Sequence, residues 1–423
     1  KLVVYINPPY AEAGDSRQRS GTGKNKTGVA FDNYVYKTYK KQMGLACREL
    51  FAQFFIRIYD EIPTSVLAEF SKLKILQAPN FRDFRQAFRA KLGRNFIVPA
   101  NSFDNVKGQF PIGFFIWDTN QKEVFEETTT TIYDSKGEEL GNKLISSYLN
   151  DTNVIVWLRQ YYDKQGESIG FLRMNGTNIQ NNLGIYITSK LSENDIYNHF
   201  YAEITKSNIL PMCIYLSIRE TVNANWINDR DQYLVPSSKW EDDKEFQYNC
   251  LIHSLFSGQN RIQSQHGTNH WIPFSEEEVG AQDNFESHFI HDFIMGKVKE
   301  EKPQQKETMQ DLFAEQEPQT TGGSSFTPTG PLEFSQEAQA VLDAGRELWR
   351  CYHKQAGANP NASYYDIKMH FQGTKTTKSG KLQMNSTSED ATYNTLLANL
   401  RQAMKGLAAH IEPKVYEYGF LKK

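Results

Sequence analysis

Cysteine is scarce in this chain. Cys47, Cys213, Cys250 and Cys351 stand far apart and form no CxxC pair. That excludes a disulfide framework and a cysteine-based zinc site, and it fits a reducing, cytoplasmic compartment. Long apolar runs are missing too. None could span a bilayer and no signal-peptide pattern is present, so no membrane association is expected. A global basic field is absent, because the net charge is −3. Any contact with nucleic acid must therefore come from local patches. Aromatic side chains, by contrast, are plentiful: 27 Phe and 22 Tyr can build large cores or stacking surfaces. The length, 423 residues, allows two or three domains.

Residues 2–6, LVVYI, are apolar at every position, a pattern that predicts a buried, central, parallel strand. Pro8 and Pro9 end it. Residues 11–28 are polar, Gly-rich and basic, and predict a loop. A helical pattern follows over 34–60, with Cys47, Phe51, Phe54, Phe55 and Ile58 on one face. LKILQAP at 73–79 predicts a second buried strand, and FRDFRQAFRAKLG a short helix ending at Gly93. In that helix Phe81, Phe84, Phe88 and Leu92 form one stripe, and Arg82, Arg85 and Arg89 another. The arginine stripe is either a solvated face or a contact to phosphates. NFIVPANSF and FPIGFFIWD predict two paired strands near 95–118, which completes an α/β pattern over 1–118.

From 119 the texture changes. TTTTIYD, NVIVWLRQYYD, SIGFLRM and LGIYITS predict strands of an α+β region over 119–296. Residues 297–333 are charged and then Pro/Gly/Thr-rich, and predict a linker. Ser335 predicts a helix cap, and a second helix is expected over 389–411, so that 334–423 reads as a small helical domain. Lys375, Lys378 and Lys381 fall in the loop between those helices.

The sharpest chemistry is at the start: Asn7-Pro8-Pro9-Tyr10 directly follows LVVYI. An exocyclic amine on a nucleobase is a poor nucleophile, because its lone pair is delocalised into the ring. Two acceptors aimed at its two N–H hydrogens pull the nitrogen toward tetrahedral geometry. An Asn amide oxygen is one such acceptor, and a backbone carbonyl held by proline is a second. An adjacent aromatic ring offers a surface for the base, and such stacking contributes roughly 1–3 kcal/mol.

This stretch resembles the catalytic motif of amino-group DNA methyltransferases, in which Asn or Asp, Pro, Pro and an aromatic follow a central strand. The resemblance implies a partial Rossmann-like sheet that begins at the catalytic strand. It implies that Asn7 and the Pro8 carbonyl accept from adenine N6, with Tyr10 stacking on the flipped base. Asn in place of Ser points to adenine over cytosine. In that family a strand–helix–strand–hairpin succession follows the motif, and a hairpin aromatic closes the base pocket. Phe110 stands at that place here, with a core role as its alternative. The resemblance further implies S-adenosyl-L-methionine as cofactor, double-stranded DNA as partner, a restriction or specificity subunit as a possible companion, and target recognition by 119–296.

A cofactor turn resembling Phe-x-Gly-x-Gly after a strand is not found. The one GxG, Gly21-Thr22-Gly23, follows no strand, so the cofactor segment is expected upstream of Lys1 and the chain by itself is expected to be inactive. Lys24 and Lys26 in the same stretch are candidates for DNA-backbone contact. Gly23-Lys24 is not a P-loop, because Asn25 stands where Ser or Thr is needed. His266, His270, His288 and His291 lack zinc spacing, and no metal is expected. Trp240-Glu241-Asp242-Asp243-Lys244 lacks the strand framing of a nuclease core. Two other functions remain open: methylation of protein glutamine, which shares the NPPY motif, and a non-catalytic DNA-specificity module.

Overall fold

A computed structural model describes residues 2–8, 31, 33–104, 106, 108–298, 328, 330–377, 380 and 382–422. The first part of the chain contains β1 (Val3–Ile6), α1 (Tyr34–Met43), α2 (Leu50–Glu61), β2 (Val66–Lys72), α3 (Lys74–Gln77), α4 (Arg82–Ala87), β3 (Ala90–Pro99), β4 (Pro111–Lys122), β5 (Glu127–Tyr133) and β6 (Glu139–Ser146). The six strands form one sheet in the order β1-β2-β4-β3-β5-β6. β1 and β2 run parallel, β4 is antiparallel to both β2 and β3, and β3 and β5 are again parallel. Helices α1 to α4 cover one face. Phe51, Phe55, Phe81, Phe84 and Phe88 pack there on Leu67, Ile97, Phe115 and Trp117 of the strands.

Several elements depart from the sequence reading, each for a physical reason. LVVYI is a parallel strand, but it lies at the sheet's edge and not at its centre. Among the described residues it pairs only with β2, and Val3 and Tyr5 are 63% and 64% exposed. An apolar run predicts a preference for burial without specifying how many neighbours supply it. LKILQAP is not a strand. It forms α3 and the turn after it, while the strand is the preceding Val66–Lys72. That strand buries Glu69 and Ser71, so its hydropathy is lower than that of the segment beside it. The expected helix over 34–60 is broken at Gly44, whose φ of 53° suits glycine and whose missing Cβ leaves room for the Asp83 carboxylate. The expected helix to Gly93 ends at Ala87, and residues from Ala90 join the predicted strand pair β3–β4. The sheet also runs past residue 118, because β5 and β6 extend it to Ser146.

The second part contains α5 (Val154–Arg159), β7 (Ser168–Met174), β8 (Tyr186–Thr188), α6 (Glu193–Asn198), β9 (Phe200–Thr205), α7 (Ile209–Thr221), α8 (Lys244–Phe256), β10 (Asn260–Arg261), α9 (Glu276–Val279), α10 (Phe289–Ile294), α11 (Gln336–His353), α12 (Tyr364–Gln372), β11 (Thr374–Thr376), β12 (Leu382–Met384) and α13 (Ala391–Glu417). NVIVWLRQYYD is the helix α5 and not a strand; Asn153 caps it by accepting from Ile155 N. Strands β10-β8-β7-β9 form a second sheet. Ser335 caps α11 as the sequence indicates, accepting from Ala338 N at 3.2 Å. The helices after residue 334 share one continuous core with residues from Val154 onward. Trp157, for example, meets Phe420 edge-on at 5.3 Å, and Gly345 of α11 lies against the Phe256 ring. Among the described residues no helix is long and apolar enough to cross a membrane.

Candidate functional site

Asn7 and Pro8 continue β1 beyond its last paired residue. Ile6 pairs with Glu69, so the same register sets Asn7 level with Phe70 and Pro8 level with Ser71. Asn7 is exposed and Pro8 is buried. Pro9, Tyr10, Lys24 and Lys26 lie outside the described residues, as does Gly21-Thr22-Gly23. Phe110 immediately precedes β4, is half-buried, and accepts a backbone hydrogen bond from Ala100 N at 2.8 Å. Lys72 pairs with Ile112, so the end of β2 and the start of β4 meet at one end of the sheet. Asn7, Pro8 and Phe110 therefore share that end. In open α/β sheets the carboxyl ends of parallel strands form the crevice where ligands bind.

The sheet face opposite the helices was not anticipated. It carries a run of packed rings, mostly half-buried, that crosses the strands: Tyr5, Phe114, Phe70, Phe96 and Tyr133, with Phe103 beside them. Phe70 lies 4.8 Å from Phe114 and 5.3 Å from Phe103, and Phe96 stacks on Phe114 at 5.2 Å and 29°. By strand alternation Asn7 belongs to this aromatic face. Phe70 of β2 and Phe96 of β3 each pair directly with Phe114 of β4, and this cross-strand register is not legible until the strand pairing is known.

On the helix-covered face beneath the same end lies Glu69, fully buried. Trp117 Nε1 donates to its carboxyl at 3.0 Å and Ser71 Oγ at 3.4 Å, while Oε2 has no partner. Burial pushes its pKa up to about 8 against those two hydrogen bonds. With no cation beside it among the described residues, the group is held as the neutral acid at neutral pH.

The arginine stripe divides. Arg85 is not a DNA-backbone contact. It is 4% exposed and donates to the carbonyls of Ile75, Ala78 and Ser147, so it ties three segments of the first core together. Burial, and then the charge of Arg82, lowers its pKa to about 10. Arg82 and Arg89 are exposed. Arg82 donates to Leu149 O at 3.0 Å beside a shallow pocket, and Arg89 to Gln86 O at 3.1 Å. Both remain open to solvent anions. His270 bonds Ser287, and His288 bonds Glu276. Among the described residues no group of three or more His, Cys, Asp or Glu side chains could hold a metal. Asp243 caps α8, accepting from Phe246 N, so the acidic run at 241–243 has a local structural role.

The described residues do not by themselves fit S-adenosyl-L-methionine. No strand among them leads into a glycine-rich turn, and the ends of β1 and β2 offer Asn7, Pro8 and Lys72 but no acidic group for a ribose. This end of the sheet brings Asn7 and Pro8 of the β1 extension to the end where Phe110 precedes β4. No protein-family model matches the chain, and no curated protein matches it.

Proposed function

We propose that this chain carries the amine-orienting and DNA-contacting part of an adenine-N6 DNA methyltransferase. The observation that carries the reading is Asn7-Pro8 at the carboxyl end of β1, in a strand–helix–strand–hairpin succession whose hairpin brings Phe110 to the same end. Asn7 Oδ1 accepts one N6 hydrogen of an extruded adenine, and the Pro8 carbonyl accepts the other. Their shared pull localises the nitrogen lone pair, and proline holds its carbonyl in place before the reaction begins. Phe110 offers one ring surface to the base, and Tyr10 is assigned the other. S-adenosyl-L-methionine would supply the electrophilic methyl group, and its site would need residues beyond those described here. Losing one of two such acceptors costs on the order of 100-fold in rate or more.

The test is sequencing for N6-methyladenine in genomic DNA from cells that express the chain with its natural flanking sequence. Methyladenine at a defined site is expected, and Asn7→Ala should remove it at equal protein level. Identical methylation with and without Asn7 overturns the assignment, and methyl label on protein glutamine but not on DNA redirects it.

A further inference from the structure

Between α12 and α13 the chain forms a two-stranded antiparallel ribbon, β11 against β12, which is a sheet of its own. Of its strand residues only Met384 is half-buried; the others are exposed, Leu382 to 75%. So short a ribbon buries little, and its own hydrogen bonds barely offset the cost of ordering it. Its root is what fixes it. Gly373 closes α12 with φ of 62°, Asn385 N donates to Gly373 O at 3.1 Å, and Asn385 Nδ2 donates to Gln372 O at 2.9 Å. The body thus aims the ribbon and leaves both of its faces open.

Its charge is set apart from the rest of the chain. From Gly373 to Ser388 the sequence holds Lys375, Lys378 and Lys381 and no Asp or Glu, in a protein whose net charge is −3; of the three lysines, Lys378 and Lys381 lie outside the described residues. At the root, Lys368 of α12 is buried against the Tyr364 ring at 4.2 Å. Burial and then the neighbouring charge of Arg401 push it down to about 8, with Glu220 opposing and Arg261 adding to the effect. Register gives the ribbon two different faces. Lys375 and Gln383 oppose each other on one, while Thr374, Thr376, Leu382 and Met384 share the other.

We propose that this ribbon is a duplex-DNA contact that enters a groove. The major groove admits a two-stranded ribbon, amide side chains read adenine edges there, and an apolar side chain can meet a thymine methyl. Lys375 faces a phosphate, Gln383 lies on the same face within the groove, and Leu382 supplies the apolar contact. Duplex DNA as the polyanion rests on the methyl-transfer reading; the isolation, charge and two-faced register of the ribbon do not.

The experiment is fluorescence anisotropy of the full chain with a mixed-sequence duplex. It compares wild type, Lys375→Ala and a variant with 374–384 replaced by a Gly-Ser linker. Lys375→Ala should lower the slope of log affinity against log salt by about one between about 50 and 200 mM salt. The linker variant should bind at least about tenfold more weakly, with an unchanged urea midpoint, because it removes the Lys375, Gln383 and Leu382 contacts together and, among the described residues, no fully buried side chain. Unchanged affinity and slope in both variants overturn the proposal. Tighter ribbon-dependent binding to RNA than to duplex DNA overturns the choice of partner. Duplex binding through the ribbon, together with no methylation by the chain carrying its natural flanking sequence, sustains this proposal and removes the methyl-transfer reading.

Discussion

Glu69 and Arg85 show how differently single residues lend themselves to reading. Asn7 and Pro8 stand out in the sequence because an amide followed by proline after an apolar run needs no partner to be noticed. Glu69 does not, since a carboxylate in a strand reads as solvent-facing until Trp117 is seen to hydrogen-bond it. Below about pH 4.5, the ordinary value, folded and unfolded chains both hold the Glu69 proton and burial of the neutral acid carries no ionisation penalty. As pH rises from there toward about 8, the unfolded chain releases the proton while the folded chain keeps it. Stability then falls by about 1.4 kcal/mol per pH unit. Glu69→Gln keeps the acceptor for Trp117 and has no proton to lose. Its urea midpoint is therefore expected to exceed that of wild type increasingly from about pH 4.5 to about pH 8 and to match it at the acid end. Arg85 misled the sequence reading because a helical stripe does not reveal whether an arginine meets water or carbonyls of other segments. Arg85→Ala should destabilise the chain by about 3 kcal/mol by stranding buried carbonyls, while exposed Arg89→Ala should change it by less than about 0.5 kcal/mol. Parallel thermal melts compare the two.

Among the elements, those with strong local signals were legible: the β3–β4 pair, the Ser335-capped helix and the long α13. Errors fell where tertiary contact decides. The break between α1 and α2 depends on Gly44, whose conformation and closeness to Asp83 no periodicity encodes. Gly44→Ala should therefore cost about 1–3 kcal/mol, more than an alanine replacement ordinarily would at a helix end. Circular dichroism during urea titration would show it as a lower midpoint with unchanged native helicity. α5 shows the converse: its β-branched residues favour a strand, yet Asn153 caps it as a helix.

At the scale of the molecule, the two cores meet through Asp231, which accepts from Lys143 at 2.5 Å and from Gln77 at 3.1 Å. Burial raises the Asp231 pKa and Lys143 opposes that rise. Lys143→Met removes the cation and leaves the carboxylate without it, so about 3 kcal/mol of coupling is expected to go. Fluorescence and circular dichroism transitions that coincide in wild type should then separate. This contact was not legible in the sequence, because its partners are far apart and no local pattern joins them. The sheet carries a further consequence for the order of assembly. Val3 pairs with Val66, so joining β1 closes a loop containing all of residues 4–65, whereas β3 and β4 meet as a hairpin. Long-range closure is entropically dear, and a border strand has half the anchoring of an inner one. Amides of Val4 and Ile6 should exchange with deuterium well before those of Phe115 and Trp117, and Asn7 would take its place beside β2 only in the last step of folding and leave it in the first step of unfolding.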